Sequence, residues 1–189
     1  MDRGAAPAAP RSAAAVPEAL ARLIATAQVP LCLSRRDGRD QPLVAVNDAF
    51  ERLSGYGRSE LIGRDCRLLQ GPRTQAAARA TLRRAIDAEA EGQAVLVNHR
   101  RGGEAFDNFV FLLPVRVGGA VPFYLASQFE VAGRDRTRLF ERHGGFLMGA
   151  VAELNAGADG ACTIGDAELQ HLDRGAIVRR RLDNWVSTS

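Results

Sequence analysis

The chain has 189 residues, 46% of them hydrophobic and 25% charged, with a formal net charge of +3. That balance suits one globular domain with extensions, able to bury its own core, and argues against a fibrous or wholly disordered chain. No apolar run is long enough to span a membrane, and the small arginine excess reads as a solvated surface rather than a nucleic-acid footprint.

Residues 1–16 are rich in alanine and proline and read as a disordered tail, not a signal peptide. Pro17 suits a first helical turn, and Leu20, Leu23 and Ile24 follow at helical spacing, so residues 17–27 are expected to form a cap helix. Residues 30–34 and 42–46 read as strands joined by the turn Arg36-Asp-Gly-Arg-Asp-Gln, which together make a hairpin. Asn47 is a capping residue that opens a short helix; Gly55 breaks it, and Ser59-Glu-Leu-Ile begins another helical turn. Residues 74–90 form the longest helix of the middle region, with Ala78, Leu82 and Ile86 on one face. Three strands follow, over residues 94–100, 106–114 and 123–131, with turns at Arg101-Gly-Gly-Glu and Gly118-Gly119.

Beyond Gly133 the composition changes. Leu139, Phe140, Phe146, Leu147, Ala150, Val151 and Leu154 recur at helical spacing. Asn155-Ala-Gly-Ala-Asp-Gly reads as a loop, with Cys162 in its polar end. Thr163-Ile-Gly-Asp166 resembles a capping box ahead of a second amphipathic helix marked by Leu169, Leu172, Ala176, Val178, Leu182 and Trp185. The whole implies an α+β fold: a five-stranded antiparallel sheet with helices on one face, an N-terminal cap helix and two C-terminal helices. The expected divisions are a tail (1–16), a cap helix (17–27), a central α+β domain (28–132) and a helical extension (133–189).

Gly63-Arg-Asp-Cys-Arg-Leu-Leu-Gln70 resembles the flavin-binding motif GXNCRFLQ of the LOV (light-oxygen-voltage) domains in the PAS superfamily. The run from Val46 to Tyr56 resembles the segment before that motif. Asn98-His-Arg resembles NYR, Phe106-Asp-Asn resembles FWN, and Ser127-Gln128 matches the last strand. The resemblance covers about residues 28–131 and is greatest to bacterial short LOV proteins. It implies a PAS/LOV fold, FMN as cofactor, and a blue-light photoreceptor that is not an enzyme. Cys66 would form a reversible cysteinyl–flavin C4a adduct, and Gln128 would act as the signal switch.

The residue types suit that chemistry. Side-chain amides present both donors and an acceptor to a polar ring edge. Asn98 and Asn108 lie ten residues apart across a turn, and Gln128 sits on the next strand. Either asparagine alone would be an ordinary strand-end residue; the three together favour a shared ligand edge. Arg67 and Arg83 would hold a terminal phosphate, since guanidinium offers it a planar charged fork. Two arginines without a Gly-rich loop favour FMN over FAD. Gln70 would contact the ribityl chain or the ring edge.

The departures are few. Asp65 stands where asparagine is usual, and would accept from ribityl hydroxyls or cap the helical turn that carries Cys66. Leu68 replaces phenylalanine, Asp107 replaces tryptophan, and Ala126 stands where glycine is common. Cys32 matches a first-strand position that, by the resemblance, lines the flavin pocket near the reactive sulfur. Space filling is its preferred reading, and a second thiol that tunes adduct lifetime is the sharper one. With no Cys-x-x-Cys pair, the three cysteines indicate neither a disulfide framework nor a zinc ribbon. The scattered His99, His143 and His171 indicate no metal. A reducing, cytoplasmic setting fits, as does a homodimer, with tail helices that pack on the sensor or on its partner copy. The alternatives are a light-regulated DNA-binding protein using Arg179-Arg-Arg181 and the tail helices, or a non-photoactive PAS ligand or redox sensor.

Overall fold

The computed structural model of the chain describes residues 14–131, 136–157 and 162–165. The second tail helix, expected from Leu169 to Trp185, and Arg179-Arg-Arg181 lie outside the described residues, as do residues 1–13 of the N-terminal tail.

After α1 (Glu18–Thr26) come the hairpin strands β1 (Leu31–Arg35) and β2 (Leu43–Val46). A helical stretch follows: α2 (Asp48–Ser54), α3 (Arg58–Leu61), a 3₁₀ turn (Cys66–Leu69) and α4 (Ala76–Asp87). The strands β3 (Gly92–His99), β4 (Ala105–Val117) and β5 (Ala120–Glu130) complete an antiparallel sheet ordered β2-β1-β5-β4-β3. The first strand thus pairs with the last of the five, and both are central.

Alternation along these strands divides the interior in two. Leu31, Leu33, Phe109, Phe111, Leu113, Phe123, Leu125 and Phe129 form one core with Leu20 and Ile24 of α1. Cys32, Leu96, Val110, Leu112, Tyr124 and Ala126 point the other way, towards Phe50 of α2, Leu61 of α3 and Leu82 and Ile86 of α4. α4 lies close on β3: a Cβ added to Gly92 would come within 2.7 Å of the Ala85 methyl. Tyr124 ties β5 to the end of α4 by donating to the Ile86 carbonyl at 3.1 Å.

Three features differ from the sequence expectation. β4 runs past Pro114 to Val117. Proline forfeits only its own donor, and the Pro114 carbonyl still accepts from the Gly165 amide at 2.8 Å. α5 (Arg136–Gly157) continues through Asn155, where a loop was expected. Its Leu147, Met148 and Val151 are buried in the first core, so these residues cover the sheet face opposite α2–α4. Cys162 is not in a polar loop, and the helix expected after Thr163-Ile-Gly-Asp166 lies outside the described residues. Cys162–Ile164 form a sixth strand, β6, paired with β4 through Val115↔Ile164 and Val117↔Cys162. The side chain of Asn155 stands in for a neighbouring strand there: it accepts from the Ile164 amide at 2.9 Å and donates to the Ile164 carbonyl at 3.0 Å. Among the described residues no helix is long and apolar enough to cross a membrane, and no His/Cys/Asp/Glu group could hold a metal.

Asn47 is the internal rivet of the hairpin end. Only 1% exposed, it caps α2 by accepting from the Phe50 amide and also accepts from the Leu31 amide, both at 3.0 Å. Its amide donates to the carbonyls of Ala27 (3.0 Å) and Val29 (2.8 Å). Asn47→Ala removes a cap and leaves several backbone groups without partners. It should cost about 2–4 kcal/mol in denaturant unfolding. A loss below about 0.5 kcal/mol, the scale of an ordinary surface change, would contradict this role.

Candidate functional site

The even-numbered face of the sheet and the inner face of α4 enclose a cavity of about 400 Å³, within the size range of cofactor sites. Its apolar walls come from Leu96, Val110, Leu112 and Ala126 on the strands and from Leu82 and Ile86 on α4. The polar lining divides into two groups.

The first group spans three strands. Asn108 is fully buried and donates to Asn98 Oδ1 at 2.8 Å and to Gln128 Oε1 at 2.6 Å. The sheet register makes this possible. Asn98 faces Phe106 and Asn108 faces Leu96 across β3–β4, while Gln128 faces Val110 across β4–β5. The amides are therefore diagonal neighbours on one face, within reach of long side chains. The Gln128 amide nitrogen in turn points at Cys32 Sγ, 3.5 Å away, and Cys32 Sγ lies 3.7 Å from Cys66 Sγ. Contact with the Cys66 thiol, together with burial, pushes the Cys32 thiol well above its ordinary pKa. Asn108 Oδ1 and both amide atoms of Gln41 are buried without a hydrogen-bond partner among the described residues, and Gln41 lines the same cavity.

The second group gathers at the β1–β2 loop. Asp65 caps the 3₁₀ turn carrying Cys66: Oδ1 accepts from the Arg67 amide and Oδ2 from the Gln41 amide, both at 2.8 Å. Burial would raise the Asp65 pKa, but these bonds and the Arg67 guanidinium at 2.9 Å hold its carboxyl below the usual range. Arg67 also pairs with Asp40. Arg83 pairs with Asp87 at 2.6 Å and donates to the Arg39 carbonyl at 3.0 Å.

The cavity lining thus brings together Cys32, Asp65, Cys66, Arg67, Gln70, Arg83, Asn98 and Gln128. Asn108 lies behind Asn98 and Gln128 as their common donor. Gln70 is held beside Asn98 by an isolated bridge. Asp65 acts as the cap, one of its two expected roles. Sequence reading missed Ser34, Arg39, Gln41 and Arg79, which also line the cavity. Arg79 was within reach, because it sits one turn before Arg83 on the same helix face. Ser34 was too, two residues after Cys32 on one strand. Arg39 and Gln41 enter through the hairpin loop, whose path no residue period reveals.

Residues 29–138 match the PAS domain family. The blue-light-activated histidine kinase of Rhizobium johnstonii is 39% identical over 108 residues, which is 56% of this chain and 31% of that protein. Phototropin-1A of Oryza sativa subsp. japonica is 38% identical over 92 residues, 48% of this chain and 10% of that protein. The chain therefore spans under a third of these curated relatives. Among solved structures, the LOV protein of Rhodobacter sphaeroides is 31% identical with a TM-score of 0.75, covering 89% of this chain and 95% of that one. An RNA-binding light-oxygen-voltage receptor is 37% identical with a TM-score of 0.55, covering 65% of this chain and 36% of that one. With a matching domain, motifs in matching order and a shared fold across nearly the full length of a solved LOV protein, this chain belongs to the PAS family and, within it, to the LOV blue-light receptors.

Proposed function

We propose that this LOV chain senses blue light by holding FMN in the cavity between α4 and the sheet, with Cys66 as the photoreactive thiol and Gln128 as the switch. The observation that carries the reading is the convergence on one cavity of a half-buried thiol, linked amides and a set of arginines. The residues fit such a cofactor. Buried polar atoms rarely stay unpaired, and Asn108 Oδ1 and the Gln41 amide offer a ring edge or ribityl hydroxyls both donors and acceptors. Leu82, Ile86, Leu96, Val110 and Leu112 would cover the apolar ring faces. Arg67 and Arg83 would take a terminal phosphate, helped by Arg79, which supports FMN over FAD. A phosphate there would share or displace the carboxylates that now hold Arg67 and Arg83.

Flavin supplies absorption of blue light and, once excited, a ring carbon open to attack by sulfur. Cys66 would give its sulfur to that carbon and its thiol proton to the adjoining ring nitrogen. Gln128 would then face a donor where it faced an acceptor, and its amide can meet the change by rotating. Rotation would alter its bond from Asn108 on β4 and its contact with Cys32 on β1. The next residue, Phe129, stacks on His143 of α5 at 4.4 Å on the opposite face. α5 is therefore the described element best placed to carry the change to a partner copy or a downstream protein. The cycle consumes no substrate, so this cavity serves sensing and not turnover.

Cys66→Ala should retain flavin, because the sulfur takes no part in holding the ground state. It should stay fluorescent under blue light and show no bleaching. Reversible bleaching in this variant, measured by absorption, would remove Cys66 from its role.

Gln128→Leu should still bleach, since sulfur and ring need only be in contact. It should lose most of the light-induced change in hydrogen exchange over α5. An unchanged response there would mean that the signal bypasses β5.

A further inference from the structure

We propose that Cys32 and Cys66 form a second reactive site, a dithiol that a hydroperoxide closes to a disulfide, taking the light-reactive sulfur out of use until a thiol reductant reopens it. The effect on light sensing rests on the reading of Cys66 given above; the dithiol chemistry does not.

Three observations carry the inference. First, the sulfurs already touch at 3.7 Å, against a disulfide bond of about 2.05 Å. Second, the two anchors differ. Cys32 is fixed on β1 between Val46 and Ala126. Cys66 is the first residue of a four-residue 3₁₀ turn hung from Asp65, so Cys66 is the partner free to close the gap. Third, access differs. Cys66 is half-buried on the cavity wall, whereas Cys32 is 1% exposed. A small oxidant approaching from solvent meets Cys66 first. Cys162 is buried in the other core, across the sheet, and cannot compete.

The chemistry balances in two steps. The Cys66 sulfur attacks the hydroperoxide, leaving a sulfenic acid on Cys66 and releasing the alcohol, or water from hydrogen peroxide. The Cys32 sulfur then attacks the sulfenic sulfur, forming the S–S bond and releasing water. Two electrons pass from the thiols to the peroxide. The raised pKa of Cys32 keeps it a thiol and makes it the poorer nucleophile towards peroxide; in the second step contact with the sulfenic sulfur places it to attack, and its proton leaves with the hydroxide as water. Its sulfur is also the one that the Gln128 amide nitrogen approaches, so oxidation and light would act on the same amide.

The test uses the full chain, reduced and kept dark. It is exposed to hydrogen peroxide, denatured in a thiol-alkylating reagent, weighed and digested. The expected product carries one label in place of three, on Cys162, and yields a crosslinked peptide holding Cys32 and Cys66. Dithiothreitol should restore all three labels. Bleaching under blue light should fall in step with the crosslinked fraction and return with dithiothreitol. In Cys32→Ser, peroxide should carry Cys66 on to the sulfinic acid, a gain of two oxygens that dithiothreitol does not reverse. Three labels after peroxide, sulfinic acid on Cys66 of the unaltered chain, or a crosslink through Cys162 would each overturn the proposal. A protein that fails to bleach even when reduced would count against Cys66 as the light-reactive thiol, while mass alone still decides the dithiol.

Discussion

A chain of buried amides, Asn98–Asn108–Gln128, is the constraint on which the rest of the structure turns. Each sits on a different strand, and all are 4% exposed or less. An amide buried without partners is costly, so these groups favour the one register of β3, β4 and β5 in which they meet. A slip of β4 by one residue would turn Asn108 into the α5-side core and Phe109, Phe111 and Leu113 into the cavity. The same register therefore builds both the polar end of the cavity and the aromatic core beneath α5.

That coupling gives the sheet two distinct faces with a short path between them. Gln128 faces the cavity and its neighbour Phe129 faces α5, where it stacks on Phe109 at 5.1 Å and on His143 at 4.4 Å. A movement of β5 large enough to reseat one must disturb the other, because packed aromatic contacts do not deform smoothly. α5 in turn holds β6 against β4 through Asn155. The described part of the C-terminal extension is thus built into the sensor and is not a separate arm. This changes the meaning of the Leu147–Val151 stripe: sequence reading leaves open whether it covers the sensor or a second copy, and in the structure it covers the sensor's own sheet.

Much of this was legible in the sequence. Alternation on β1, β4 and β5 gives the two faces, Asn47 marks the start of α2, and the spacing of Ala78, Leu82 and Ile86 marks the face of α4 that meets the cavity. The motif around Cys66 and the positions of Asn98, Asn108 and Gln128 point to one ligand. What escaped the sequence was long-range or loop-borne. β6 is only three residues long, too short for a period, and exists because β4 has a free edge beyond β3. Gln41 and Arg39 depend on the path of the hairpin loop. The ion pair that Arg67 makes with Asp40 depends on that loop folding over the 3₁₀ turn. That Cys32 lies beside Cys66, thirty-four residues away, was legible only through the family resemblance, and the sulfur–sulfur contact itself only in the structure.

The central claim is that light makes a reversible bond at Cys66 inside this cavity. A light-minus-dark absorption spectrum of the purified full chain tests it most directly. The account predicts a yellow protein whose blue absorption band falls under blue light and recovers in darkness, through the same isosbestic points in both directions. A colourless protein, or a yellow one whose spectrum blue light leaves unchanged under reducing conditions, would contradict it.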